Sequence, residues 1–132
     1  VQSRGGHLDL KMPRRLPVAL VDADRLQQVI TNLIENALKY GGPGPIRMTV
    51  QQEPGQLRVD VEDQGPGVAN EDRQRIFGLF ERGQNKGTIR GAGLGLFICK
   101  ATIDAHGGHI GVDTGPGGRG ARFYFTLPLE EP

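Results

Sequence analysis

The chain has 132 residues, a formal net charge of +1 and one cysteine, Cys99. That length predicts a single domain over residues 1–132 with a modest core. The near-neutral charge speaks against nucleic acid or an anionic membrane as partner, no apolar run approaches a membrane span, no secretory signal opens the chain, and a lone cysteine excludes an internal disulfide and suits a reducing compartment.

"HLDLKM" and "LPVALV" read as two short strands, with Pro13 and Pro17 bracketing the turn. A helix follows from Asp22 or Asp24, and Gln27 stands three residues after Asp24 as in a capping box. Leu26, Val29, Ile30, Leu33, Ile34, Ala37 and Leu38 keep the i, i+3, i+4, i+7 rule until "YGGPGP" ends it. "IRMTVQQ" and "QLRVDVED" read as an antiparallel pair joined by "EPGQ". "NEDRQRIF" predicts a short helix with Asn70 as N-cap. "ERGQNKGTIRGAG" is polar, basic and Gly-rich, and reads as a mobile loop. A second long helix starts near Gly93 and runs to about His106, stopped by Gly107-Gly108. "HIGVDTG" and "RFYFTLPL" form a last strand pair. The order β-β-α-β-β-α-α-β-β predicts an α+β two-layer sandwich. Its sheet is mixed and mostly antiparallel, with helices on one face.

Three places carry candidate chemistry. In "LRVDVEDQGPGV", Leu57, Val59 and Val61 share a strand face with Asp63, while Arg58, Asp60 and Glu62 lie opposite, where charge costs little. Asp63 either caps the Gly-Pro-Gly turn or stands at the mouth of a pocket and accepts a hydrogen bond from a ligand. On the first long helix Asn32, Asn36 and Lys39 share a flank at i, i+4 and i+7, with Tyr40 beside them. That flank is either solvated surface or an oxygen ligand for Mg²⁺ next to a phosphate contact. "GAGLGL", Gly91 to Leu96, opens a helix whose free N–H groups and dipole favour phosphate. It is not a P-loop, since no Gly-Lys-Ser/Thr follows. It is not a dinucleotide fingerprint either, although Asp113 lies downstream, because the spacing is GxGxG after a polar loop.

The ordered set "NLIENALKYG", "VEDQGPGV", "IFGLFERG" and "GAGLGLFICKATIDAHGG" resembles the N, G1, F and G2 boxes of sensor histidine kinases. These boxes belong to the ATP-binding catalytic domain, whose Bergerat fold is shared with gyrase, Hsp90 and MutL. The resemblance spans about residues 8 to 128. It implies that Asp63 receives the adenine amino group and that Gly65 and Gly67 let the chain turn over the base. It implies Asn36 as the Mg²⁺ ligand, Asn32 as an amide near the phosphates, Lys39 as a phosphate contact and Tyr40 as an aromatic beside the nucleoside. Gly91, Gly93 and Gly95 match the phosphate-binding turn, with the amides of Leu94 to Leu96 as donors. Phe77 and Phe80 match the aromatics that anchor a lid. Arg82 and Arg90 are lid cations that could reach the γ-phosphate, or else plain loop solubility.

The hydrolysing cousins carry Glu where Asn32 stands, and an amide cannot act as a general base. Glu35 is near, but it points about 100° from Asn36 and reads as an exposed helix charge. The domain is therefore expected to hold Mg-ATP and to pass its γ-phosphoryl group to a histidine elsewhere. His7, His106 and His109 read as surface or capping residues, a metal site from His106, His109 and Cys99 is disfavoured, and Cys99 reads as core. The chain thus reads as a fragment whose partners are its own dimerisation and phosphoacceptor domain, in a full-length homodimer, and a response regulator. The isolated domain is expected to be monomeric and cytoplasmic, with the full protein anchored in the inner membrane or not. The alternatives are an ATP-hydrolysing fragment of the same fold and a nucleotide-binding interaction module without catalysis. Ala121 stands where relatives often carry Ser or Thr, which weakens a water-mediated adenine contact. The Arg-Gly lid resembles that of potassium- and magnesium-responsive sensor kinases.

Overall fold

Asp22 starts the first long helix. Its Oδ1 accepts hydrogen bonds from the amides of Asp24 at 3.1 Å and Arg25 at 3.2 Å, so Asp22 is the N-cap and helix α1 runs Ala23–Tyr40. The expected Asp24–Gln27 box gives way to this cap. Asp24 already lies inside the helix, where its charge favours the positive end of the dipole. The computed structural model describes residues 8–11, 22–42, 44–78 and 92–129. The strand expected over residues 16–21, Pro13 before it and His7 lie outside these residues.

Five strands form one sheet: β1 (Leu8–Lys11), β2 (Ile46–Glu53), β3 (Gln56–Glu62), β4 (His109–Thr114) and β5 (Ala121–Pro128). Their order is β1-β2-β3-β5-β4, with β1 parallel to β2 and the other neighbours antiparallel. The expected α+β sandwich with a mixed, mostly antiparallel sheet is what forms. Register builds two apolar rows across four strands: Met48, Val61, Phe123, Val112, and Val50, Val59, Phe125, Ile110. Burial of alternate residues on one face is the sheet's main stabilisation. Helix α1 contributes Val29, Leu33, Ile34 and Ala37 to that core, and helix α2 (Ala92–Ala105) contributes Leu96, Cys99 and Ile103. Burial pushes the Cys99 thiol up to about 11, so it stays protonated and packs against the Val29 carbonyl, Sγ to O 3.7 Å.

Two expectations need correction. Asp60 and Glu62 do not lie on an open face; they are 6% and 9% exposed. β3 is central, so long side chains of its own and of the next strand fold over the short carboxylates. Arg58 Nη2 reaches Asp60 at 3.0 Å, Arg122 Nε stands 3.6 Å from Glu62, and the Arg58 guanidinium lies 4.2 Å above the Tyr124 ring. The second correction concerns "NEDRQRIF". It forms two 3₁₀ turns, Asn70–Asp72 and Arg75–Phe77, and the N-cap of the first is Ala69 without a side-chain bond. Its only apolar residues, Ile76 and Phe77, are adjacent and leave no i, i+4 face to sustain an α-helix.

His106 caps two helices at once. Its Nδ1 lies 2.8 Å from the Thr102 carbonyl and its Nε2 lies 3.0 Å from the Asp22 amide nitrogen. A carbonyl only accepts and an amide N–H only donates, so Nδ1 carries the proton. One imidazole thereby joins the end of α2 to the start of α1. His106→Ala should lower stability by about 1–3 kcal/mol, the scale of a lost cap plus an orphaned donor, as read from urea unfolding.

Candidate functional site

The long-helix stripe and the start of α2 face one hollow. Asn32, Glu35, Asn36, Lys39 and Tyr40 line it from α1, and Gly95 and Leu96 line it from α2. The two helices are joined there by Asn32, whose Nδ2 donates to the Gly95 carbonyl at 3.5 Å. A second hollow adjoins it and shares Asn36, Tyr40 and Leu96. Asp63 opens into this second hollow, with Pro66, Gly67 and Val68 from the following turn and Ile76, Ala121 and Phe123 as apolar wall. Together the hollows make one cleft, polar at one end and apolar around a single acid at the other.

Asp63 is 5% exposed; the turn-capping reading holds, and the residue also lines the second hollow, where a ligand reading would need it. Its Oδ1 accepts from the Gly65 amide at 2.9 Å, which is the turn-capping bond, and from the Ala121 amide at 3.1 Å. Two backbone donors therefore fix one carboxylate oxygen and hold the group at the pocket wall. The turn after it is tightly packed. A Cβ on Gly65 would lie 2.5 Å from the Gly41 carbonyl carbon, and one on Gly41 would lie 2.6 Å from the Asp63 Cβ. Gly120 has φ +67°, and a Cβ there would overlap the Asp63 carbonyl oxygen. Only glycine fits that approach.

Asn36 Oδ1 is buried and has no hydrogen-bond donor. An unpaired carbonyl oxygen is unfavourable by about 1–3 kcal/mol unless a ligand satisfies it. Amide oxygens are ordinary ligands of Mg²⁺, so the residue present fits the ion that the sequence reading assigns to it.

The other site residues divide. Lys39 is exposed along the first hollow, and Tyr40 is half-buried between the two. Phe77 is 5% exposed and packs edge-on against Phe123, centroids 6.3 Å apart, just before residues 79–91. Phe80, Arg82, Arg90 and Gly91 lie outside the described residues. Gly93 and Leu94 fall in the first turn of α2. The expectation that the Leu96 amide donates to phosphate needs revision. In a helix beginning at Ala92, that N–H is bonded four residues back, and the free amides precede it. Leu96 instead lines both hollows with its side chain.

Sequence reasoning passes over Val68, Ile76 and Phe123 as pocket wall: the β3–β5 pairing brings Phe123 beside Asp63, and the packing of the segment after the Gly-Pro-Gly turn brings Val68 and Ile76 there. Glu35 was within reach. At 100° per residue it stands about 60° from Asn32, so a stripe centred on Asn32 and Lys39 includes it.

The family model described as "Histidine kinase-, DNA gyrase B-, and HSP90-like ATPase" matches residues 21–131. The chain is 38% identical over 130 residues to the adaptive-response sensory kinase SasA of Prochlorococcus marinus, covering 96% of this chain and 34% of that protein. It is 41% identical over 124 residues to the sensor protein KdpD of Escherichia coli (strain K12), covering 93% of this chain and 14% of that protein. The chain thus spans about a third or less of the length of these relatives. Among solved structures it is similar to full-length ShkA in complex with AMPPNP, with TM-score 0.80 and 36% identity over 97% of this chain and 26% of that one. It is also similar to the catalytic domain of histidine kinase ThkA, with TM-score 0.79 and 31% identity over 94% of this chain and 79% of that one.

Proposed function

Because the chain belongs to the histidine kinase-, DNA gyrase B- and HSP90-like ATPase family, as a catalytic domain of the histidine kinase type, we propose that its cleft binds Mg-ATP and presents the γ-phosphoryl group to a histidine on a separate domain. The observation that carries this reading is the convergence of Asp63, Asn36 and the start of α2 on one cleft. In it, Asp63 accepts the adenine amino group between the apolar walls of the second hollow. Tyr40 lies beside the nucleoside. Asn36 holds Mg²⁺ through Oδ1, and Lys39 and the first amides of α2 hold phosphate oxygens. Mg²⁺, when bound, neutralises charge on the transferring group. The resemblance to the F and G2 boxes assigns Arg82 and Arg90 as further cations toward the γ-phosphate, and Phe77 and Phe80 as aromatics of the same site.

Asn32 decides between transfer and hydrolysis. An amide that donates to the Gly95 carbonyl cannot take a proton from water. The domain therefore keeps ATP for an acceptor. We place that acceptor on a dimerisation domain of the longer protein, with a response regulator downstream and the domain itself in the cytoplasm. No helix among the described residues is long and apolar enough to cross a membrane.

The test is direct. The 132-residue chain should bind Mg-ATP without turning it over. Added to a dimerisation domain that carries an acceptor histidine, it should give an acid-labile phosphohistidine. Steady ATP hydrolysis by the chain alone would sink the transfer reading in favour of an ATPase. Absence of Mg-ATP binding would leave only an interaction module.

A further inference from the structure

The hollow assigned to the triphosphate has a carboxylate in its wall. Glu35 lines it together with Asn32, Asn36, Lys39 and Gly95. Glu35 and Lys39 stand at i and i+4, the spacing and order at which opposite charges pair best on a helix. Glu35 nevertheless enters none of the ion pairs among the described residues. Both charges are left to face whatever fills the hollow.

Their signs have different consequences. Lys39 attracts a triphosphate with or without metal. A carboxylate repels the metal-free tetra-anion and turns attractive only when a cation lies close by. The next residue on the helix, Asn36, offers a buried oxygen without a donor to such a cation. We propose that Glu35 makes nucleotide binding at this cleft conditional on a divalent cation: it disfavours free ATP and favours the metal-loaded form. This rests on reading the cleft as an ATP site. It gives Glu35 a function where an exposed helix charge would have none. In a cell holding both forms, the residue selects the one whose phosphoryl group is ready for transfer.

The experiment titrates the chain with ATP in EDTA and with ATP in excess MgCl₂, and compares Glu35→Gln with the natural sequence. The substitution sits at an exposed helix position and keeps helix propensity, so the fold should survive. Affinity for metal-free ATP should rise about three- to tenfold, the scale of one screened surface charge near a multiply charged ligand. Affinity for Mg-ATP should fall, so the ratio of the two dissociation constants shrinks. Glu35→Lys should shrink it further. Adenosine, which carries no phosphate, should bind all three proteins alike. An unchanged ratio in both variants overturns the role of Glu35 while leaving the ATP site standing. A natural chain that binds neither form overturns the site and this inference with it.

Discussion

Asp63→Asn should weaken Mg-ATP binding by about 30- to 300-fold, or 2–3.5 kcal/mol, and leave the chain folded. The size of the effect follows from the two backbone donors. Gly65 and Ala121 point their N–H groups at Oδ1 from 2.9 and 3.1 Å. An asparagine keeps those bonds only by placing its own oxygen there. Its NH₂ group then takes the other position and meets the adenine amino group donor to donor. A site built to accept a hydrogen bond discriminates strongly when that acceptor is lost. Calorimetric titration measures the loss, and thermal unfolding checks the fold. Inosine triphosphate, with an acceptor where ATP has a donor, should lose less affinity than ATP does. Equal affinity of both proteins for ATP would remove Asp63 from the base pocket.

Gly120→Ala should be among the most damaging single methyls at the described glycines, because it combines a positive φ with a backbone collision. We expect a loss of about 3–5 kcal/mol in stability, with nucleotide binding lost alongside. The φ of +67° alone accounts for roughly 1–2 kcal/mol. The rest is collision. The added Cβ overlaps the Asp63 carbonyl oxygen, and that oxygen belongs to a backbone tied to β5 by the Asp63 N–H to Ala121 carbonyl bond at 3.0 Å. A flexible side chain could move aside; the end of a central strand cannot. Gly117 is the control. Its φ is +71°, yet nothing lies within 4 Å of a Cβ placed on it. Gly117→Ala should therefore show the strain without the collision, about 1–2 kcal/mol by urea unfolding. If the two alanine variants unfold together, the proposed packing of Gly120 against Asp63 is wrong.

Both predictions turn on contacts between segments far apart in sequence, and the same boundary divides what was legible from what was not. Helix α1 could be read almost residue by residue, because its seven apolar positions repeat every 3.6 residues and local periodicity needs no partner. The hairpin of β2 and β3 was legible for the same reason, with Pro54 and Gly55 marking its turn. The α2 boundaries followed from glycines at both ends. The burial of Asp60 and Glu62 was not legible. Parity assigns a face to a residue but does not say that a neighbouring strand will lay Arg122 and Tyr124 across it. His106 likewise looks like a helix-end residue until the fold brings the Asp22 amide to its free nitrogen.

The cleft shows the division most clearly. The sequence by itself determined the chemical parts: a carboxylate on an apolar strand face, two amides and a lysine at one-turn intervals, and glycines at a helix start. Those follow from spacing within one element, where the backbone repeat alone sets direction. Only the tertiary structure decided that Asp63 Oδ1 would be held by the Ala121 amide and that Asn36 Oδ1 would be buried without a donor. Each of these depends on a second element arriving from elsewhere in the chain, and the repeat of one segment carries no record of its neighbour's register.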